Sequence, residues 1–318
     1  MKQQLMEIRE NLYKSLPWSP MDFIQDISME GDRKLYVNTL TRELSEEDDL
    51  RLIYEKDHVT LGVFCERLPW DSTFFGYNIA KLWGIFPLDP PEHRFDLDYS
   101  GAIEALLELA NKQGIRYLFA TIDPSDLSTL RVLGEAGFSL IETRVYYHRD
   151  ITNYTWKERF PVRVATPDDI RSLGWAAQVM VNPFDRFHAD PFIKKGDADR
   201  LMYKWVEASI LEGFADITIV PDAPNPSAFC TVRSHQDKWS EWNRNISQVV
   251  LTAVSPKFKG WFRKILSEVH YYTREKMGAE HVLYGTQITN KPVIWVLESL
   301  GYKFGKCQHV LRKIIDFK

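Results

Sequence analysis

Residues 185–190 read Asp185-Arg186-Phe187-His188-Ala189-Asp190, which puts a fixed cation, an imidazole and two carboxylates on one short stretch. Histidine titrates near neutrality, and a carboxylate can reach a proton through a water. The set therefore suits removal of a proton from an ammonium nucleophile, with His188 as first choice of base and Asp185 and Asp190 beside it. The alternative is a loop between two helices with a surface Arg–Asp pair and a packing histidine. A second cluster follows the apolar run VVLTAV at 249–254: Lys257, Lys259, Arg263 and Lys264 surround Gly260. A β-branched run closed by Ser255-Pro256 reads as a strand covered on both faces. The helix predicted after it begins with unpaired N–H groups, so strand end, glycine and cations together form a place for an anion. A cation run that is only solvated is the other reading.

These clusters need elements to hold them. Beyond the first helix the pattern gives a strand at 281–285 (HVLYG), a helix over 290–300 stopped by Gly301, and a last strand at 307–314. The order strand, V-x-P, K-G turn, helix, strand, T-Q-x-x-N, helix, L-G-Y resembles the Gcn5-related N-acetyltransferases (GNATs). That resemblance implies an α/β (α+β) fold with mixed central sheets flanked by helices, and acyl-CoA as substrate. It implies that the strand at Leu251, Thr252, Ala253 and Val254 pairs with pantetheine, and that one of its N–H groups polarises the thioester carbonyl for direct attack. The turn and helix start would hold the phosphates through Lys257, Lys259, Gly260, Trp261, Phe262 and Arg263, with Gln287 and Asn290 on the pantetheine amides. Asn290 as a plain helix cap is the alternative. Three positions depart from the family: Phe262 and Lys264 stand where its turn has small residues, and Leu297 stands where it often has a tyrosine acid. Tyr284, Tyr302 or a water are the substitutes for that acid.

In the first half a helix is predicted over 1–14, strands over 34–40 and 58–64, and a solvated loop or short helix over the acidic 43–49. The densest aromatic stretch, LPWDSTFFGY at 68–77, reads as a loop. Its L-x-W-x-x-x-F-F-G pattern resembles the TDP-fucosamine acetyltransferases, GNATs that acylate a nucleotide-linked amino-deoxy sugar. This implies that Trp70 and Phe75 offer faces to a base or sugar and Asp71 an acceptor. Residues 186–190 resemble the R-F-x-A-P region of the same proteins, with Asp190 in place of the proline, which implies that this loop lies over the acceptor and that Arg186 and Phe187 touch it. Packing of these aromatics into a core is the alternative.

Gly114 and Gly137 are separated by the same 23 residues as Gly278 and Gly301, and the flanking segments match at an offset of 164. An internal duplication follows. The offset sets 95–100 against 259–264, without the cationic turn, so the expectation is a degenerate GNAT-like domain at 1–150 with a leading helix, a polar linker at 151–160 and an acyl-CoA-binding domain at 161–318. A cleft between the 186–190 loop, Val254 and first-half aromatics would take the acceptor.

With 44% hydrophobic residues and a net charge of -4, no global field recruits nucleic acid or a membrane. Cys65, Cys230 and Cys307 lie far apart, and no metal-ligand spacing occurs. A soluble cytoplasmic monomer or homodimer without metal is expected. The function implied is transfer of an acetyl or short hydroxyacyl group, such as 3-hydroxybutyryl, to the amine of a dTDP-linked amino-deoxy sugar in lipopolysaccharide O-antigen assembly. Another small amine as acceptor, or a non-catalytic GNAT-like binding protein, are the alternatives.

Overall fold

The computed structural model describes residues 2–16, 18–42, 50–56, 59–88, 98–156 and 158–316. The expected acidic segment 43–49, His58, residues 95–97 and Lys157 lie outside them. In chain order the elements are α1 (Lys2–Ser15), α2 (Met29–Leu40), β1 (Leu52–Lys56), β2 (Val59–Arg67), α3 (Pro69–Phe75), β3 (Asn78–Pro87), α4 (Ser100–Lys112), β4 (Ile115–Ile122), α5 (Leu127–Glu135) and β5 (Ser139–Asp150). They continue with β6 (Val162–Val164), α6 (Ile170–Val179), α7 (Lys195–Leu211), β7 (Ile217–Pro221), β8 (Ala228–Arg233), α8 (Trp239–Trp242), β9 (Ile246–Val254), α9 (Trp261–Met277), β10 (His281–Gln287), α10 (Lys291–Ser299) and β11 (Lys303–Ile314).

Two expectations are corrected here. Residues 34–40 are not a strand but the end of α2, because Ser28 caps that helix by accepting from the Gly31 N–H at 3.1 Å. Val37 and Leu40 then share its buried face at helical spacing. The aromatic stretch 68–77 is not a loop but encloses α3, with Pro69 in its first turn and Gly76 closing it in the left-handed conformation.

The duplication holds element by element. The offset of 164 carries α5 onto α10 and β5 onto β11 end for end. Gly114, Gly137, Gly278 and Gly301 all have positive φ, between 69° and 79°, which fixes glycine at each helix exit.

The chain packs as two units. Unit 1 comprises Met1–Asp22, Ser28–Thr143 and Cys307–Lys318, and unit 2 comprises Phe23–Ile27 and Arg144–Lys306. These limits differ from a division at 150 and 161, because the last strand of each repeat completes the other unit. In unit 1 the strand order is β1-β2-β3-β4-β11, with β11 antiparallel to β4 and Leu311 opposite Ala120. In unit 2 the order is β5-β10-β9-β8-β7-β6, with β5 antiparallel to β10 and Tyr147 opposite Tyr284. Both pairings have the same register under the offset of 164, so the exchange is reciprocal. Leu311 and Ile315 enter the core of unit 1 with Leu82, Leu118 and Leu133. In unit 2, α9 packs on β7, β8 and β9, while α6 packs on β8, β9 and α7.

The polar segment expected as a linker is strapped along α9. Arg274 Nη1 donates to the carbonyls of Ile151, Thr152 and Tyr154, and Trp156 Nε1 donates to Ser267 at 3.0 Å. Glu268, fully buried, accepts from the Arg159 guanidinium at 2.8 Å and the Phe160 N–H at 2.8 Å. Glu268→Ala is expected to destabilise unit 2 by about 2 kcal/mol, below the usual cost of breaking a buried pair because Arg159 can turn to water. Urea unfolding followed by tryptophan fluorescence measures this.

Candidate active site

The site forms where two parallel strands part. β9 and β10 pair from His281 opposite Ile246 to Tyr284 opposite Val249, and the register ends there. On its other edge β9 pairs with β8, and Val250 is an extra residue between the Thr231–Leu251 and Val232–Val249 pairs. Such a bulge bends its strand, which turns the end of β9 away from β10. A cavity of about 620 Å³ fills the fork.

Backbone direction follows from the bonds on the paired edge. The Leu251 N–H donates to Thr231 Oγ1 at 2.9 Å and the Ser255 N–H to the Ser227 carbonyl at 2.9 Å, both toward β8. Peptide groups alternate sides along a strand, so the N–H groups of Thr252 and Val254 face the fork. These are the two donors that could meet a carbonyl oxygen there.

Leu251, Thr252, Ala253, Val254, Phe262, Gln287 and Asn290 line the cavity. Asn290 occupies the N-cap position of α10, yet its carboxamide makes no capping bond and donates instead to Thr286 Oγ1 at 3.1 Å. Gly260 caps α9 with φ 87° and has no side chain to offer the first-turn N–H groups. Lys257 and Lys259 are exposed on the turn, and Trp261 is half-buried. Gly260, Arg263 and Lys264 line a separate cavity of about 930 Å³ with Arg149.

On the opposite wall Asp185, Arg186 and Phe187 reach the cavity, joined by Ala177, Met180, Met202 and Trp205 of the α6–α7 pair. Phe187 is buried edge-on against Trp205, with centroids 5.5 Å apart, so it is a packing ring more than a stacking face. Asn182 ties this wall to β10 through Nδ2 and Gln287 Oε1 at 2.6 Å.

His188 and Asp190 are not among the cavity-lining residues, and their bonds explain why. His188 Nδ1 meets Asp185 Oδ2 at 2.7 Å and its Nε2 meets Asp199 Oδ1 at 3.2 Å, with the side chain only 4% exposed. Burial works to lower its pKa, but Asp185 and then Asp199 outweigh burial, and the net shift is upward. A ring with a carboxylate oxygen at each nitrogen has neither nitrogen open to a substrate proton. The expected base is thus a clamp that joins Asp185 to α7. Asp190 is buried and accepts from the Phe192 N–H at 2.9 Å, which shapes the loop.

Because the folded pKa of His188 lies above its unfolded value of about 6.5, its stabilisation is complete below that value and is lost as pH rises through the folded pKa. Acceptor KM is therefore expected to rise on the alkaline side in the wild type. In His188→Gln it should be higher and flat, as a KM–pH profile would record.

Sequence reasoning named Tyr284 only as a substitute, and the structure places it at the crotch of the fork. It lines the cavity, is buried, contacts Phe262 edge-on at 5.9 Å, and is hydrogen-bonded with Thr252. Burial pushes its pKa up, so the phenol keeps its proton. Tyr302 is spent on His270 Nε2 at 2.8 Å, and Leu297 is fully buried. Arg144 and Tyr146 of β5 also line the cavity and were not foreseen at all.

Trp70, Asp71 and Phe75 lie in unit 1, on α3. Trp70 stacks on Phe74 at 5.9 Å with 9° between planes, and Phe75 stacks on Tyr77 at 5.8 Å. No residue of α3 is fully buried, so these rings are not a core.

No protein-family model and no curated protein matches the sequence. Solved structures do. A tandem GNAT protein from the clavulanic acid biosynthesis pathway aligns over 99% of this chain and 96% of its own, with a TM-score of 0.52 at 15% identity. The chain has the GNAT fold, in tandem. A GCN5-related N-acetyltransferase from Sphaerobacter thermophilus is similar over 81% of this chain and 76% of its own, with a TM-score of 0.51 at 11% identity. A conserved protein from Staphylococcus epidermidis ATCC 12228, described as functionally unknown, covers 84% of this chain and 95% of its own, with a TM-score of 0.51 at 12% identity.

The two GNAT units differ at the fork. In unit 1, β3 also carries a bulge, at Trp83, and its pairing with β4 ends at Leu82 opposite Ala120. Ala120 stands at the offset of Tyr284, and the rings of Trp18, Tyr36, Trp83 and Phe86 pack together after the bulge. Among the described residues no helix is long and apolar enough to cross a membrane, and no group of three or more His, Cys, Asp or Glu could hold a metal ion.

Proposed function

We propose that unit 2 transfers an acyl group from acyl-CoA to a primary amine by direct attack. The observation that carries this reading is the β9–β10 fork, whose free N–H groups at Thr252 and Val254 offer an oxyanion site beside the uncapped start of α9. Pantetheine would pair with the free edge of β9, with Gln287 and Asn290 on its amides and the turn of Lys257, Lys259, Gly260 and Arg263 toward its phosphates. Tyr284 is assigned to protonate the departing thiolate. A covalent intermediate on cysteine is disfavoured: Cys230, 3.3 Å from Thr252 Oγ1, has its thiol pushed up to about 12 by burial. Deprotonation of the amine falls to a water held at Asp185, because His188 is engaged on both nitrogens.

The acceptor we assign is the amine of a dTDP-linked amino-deoxy sugar, made for O-antigen assembly, with acetyl or a short hydroxyacyl such as 3-hydroxybutyryl as the group moved. The resemblance of 68–76 and 186–190 to the sugar-nucleotide acetyltransferases supports this, as do the half-exposed stacked rings of α3. Release of CoA thiol, followed colorimetrically with dTDP-4-amino-4,6-dideoxyhexose and dTDP-3-amino-3,6-dideoxyhexose, tests it. Turnover with either sugar is expected. Turnover only with amines that lack a nucleotide would remove the sugar-nucleotide assignment and leave acyl transfer standing.

A further inference from the structure

Arg149 of β5 and Lys313 of β11 are equivalent under the offset of 164, and the two units spend them differently. In unit 1, Lys313 Nζ donates to the Ala136 carbonyl at 2.7 Å and so covers the end of α5. The matching carbonyl in unit 2 is that of Leu300, at the end of α10. Arg149 makes no bond to it, and its Nη1 is buried without a partner among the described residues. The guanidinium lies instead 4.0 Å over the Tyr154 ring, is hydrogen-bonded with that phenol, and lines the cavity of about 930 Å³.

The charge of this cavity is unbalanced. Arg149, Arg263 and Lys264 line it against one carboxylate, Glu158, and none of these four is in an ion pair among the described residues. Lys264 Nζ has only ring faces near it, 5.3 Å from Phe160 and 5.2 Å from Trp261. The side chains that act on Arg149 bring no counter-charge either: they are the phenols of Tyr154 and Tyr302, and His270, which burial and then Arg149 hold well below its usual pKa. Gly260 adds the uncapped first turn of α9. A half-buried guanidinium without a counter-ion is costly, and a dianion in the cavity would offset that cost.

The same cavity shares Gly260 and Arg263 with the turn assigned to the CoA diphosphate. Beyond its diphosphate CoA carries one more dianion, the 3′-phosphate of its ribose. We infer that Arg149, delivered by the exchanged strand, binds this 3′-phosphate together with Lys264 and so determines specificity for CoA over 3′-dephospho-CoA. The inference rests on the acyl-transfer reading, but its test does not need turnover.

CoA and 3′-dephospho-CoA are titrated calorimetrically into the wild type, Arg149→Gln, Arg149→Lys, Lys264→Gln and Lys276→Gln. The wild type is expected to bind dephospho-CoA roughly 10- to 100-fold more weakly than CoA. In Arg149→Gln the two ligands should bind nearly alike, and Arg149→Lys should recover part of the difference. Lys264→Gln should narrow the ratio as well, which keeps the test sharp if Arg149→Gln fails to fold. Lys276→Gln, the same loss of charge at the far end of α9, should keep the wild-type ratio. Equal binding of the two ligands by the wild type, or a wild-type ratio in Arg149→Gln, overturns the inference and leaves the acyl-transfer reading standing. Binding of neither ligand overturns that reading, and the inference with it.

Discussion

Tyr284→Phe is expected to lower kcat by roughly 10²- to 10⁴-fold, the range removed with a general acid, and to leave the KM for acyl-CoA nearly unchanged. The ring stays, so its packing against Phe262 and its burial survive, and the melting temperature should move little. Only the hydroxyl and its bond with Thr252 are lost. The pH profile adds a sharper mark. Because burial raises the pKa of this phenol, the wild-type acid stays protonated well past neutrality, so its titration should cut no limb from the rate at moderately alkaline pH. Steady-state kinetics with a poorer and a better thiol leaving group would show the variant more sensitive to leaving-group basicity. Equal sensitivity in the two proteins would assign the proton to a water instead.

A chain ending at Tyr302 should lose the fold of unit 1, although the deleted strand follows unit 2 in sequence. β11 forms six registered pairs with β4, from His309 opposite Ile122 to Ile314 opposite Tyr117. Leu311 and Ile315 each leave the core of unit 1. At about 2–3 kcal/mol for each buried aliphatic side chain, plus an exposed row of backbone donors on β4, the deletion removes much of the roughly 5–15 kcal/mol that a domain possesses. Hydrogen exchange read by mass spectrometry should show protection lost in β3 and β4 and kept in β9 and β10. Protection retained in β4 would mean that the strand exchange is not what holds unit 1 together.

The repeat was legible because it is written in local terms. Four glycines at matched spacing mark four helix exits, and each adopts the left-handed conformation that only glycine takes easily. The run 249–254 and its Ser-Pro stop likewise announced β9. Which sheet the last strand of each repeat joins was not legible, because β5–β10 and β11–β4 have the same register under the offset of 164 and the local pattern of a repeat does not name its partner. Arg144 and Tyr146 were invisible for that reason. Of the 185–190 loop, Asp185, Arg186 and Phe187 line the cavity, whereas His188 and Asp190 do not. The loop could not reveal that both nitrogens of His188 are taken, since one partner, Asp199, lies on α7 beyond it. In 34–40, alternating polarity suggested a strand, and the Ser28 cap six residues upstream of that stretch decided for a helix.

The central claim is that the β9–β10 fork binds acyl-CoA, and that only unit 2 does so. Isothermal titration of the 318-residue chain with acetyl-CoA tests it most directly, beside a Thr252→Pro variant that removes one of the two N–H groups facing the fork. The account predicts one acetyl-CoA per chain and markedly weaker binding by the variant. Two per chain, or unchanged binding by Thr252→Pro, would contradict the assignment of the fork, and no binding of any CoA thioester would contradict acyl transfer itself.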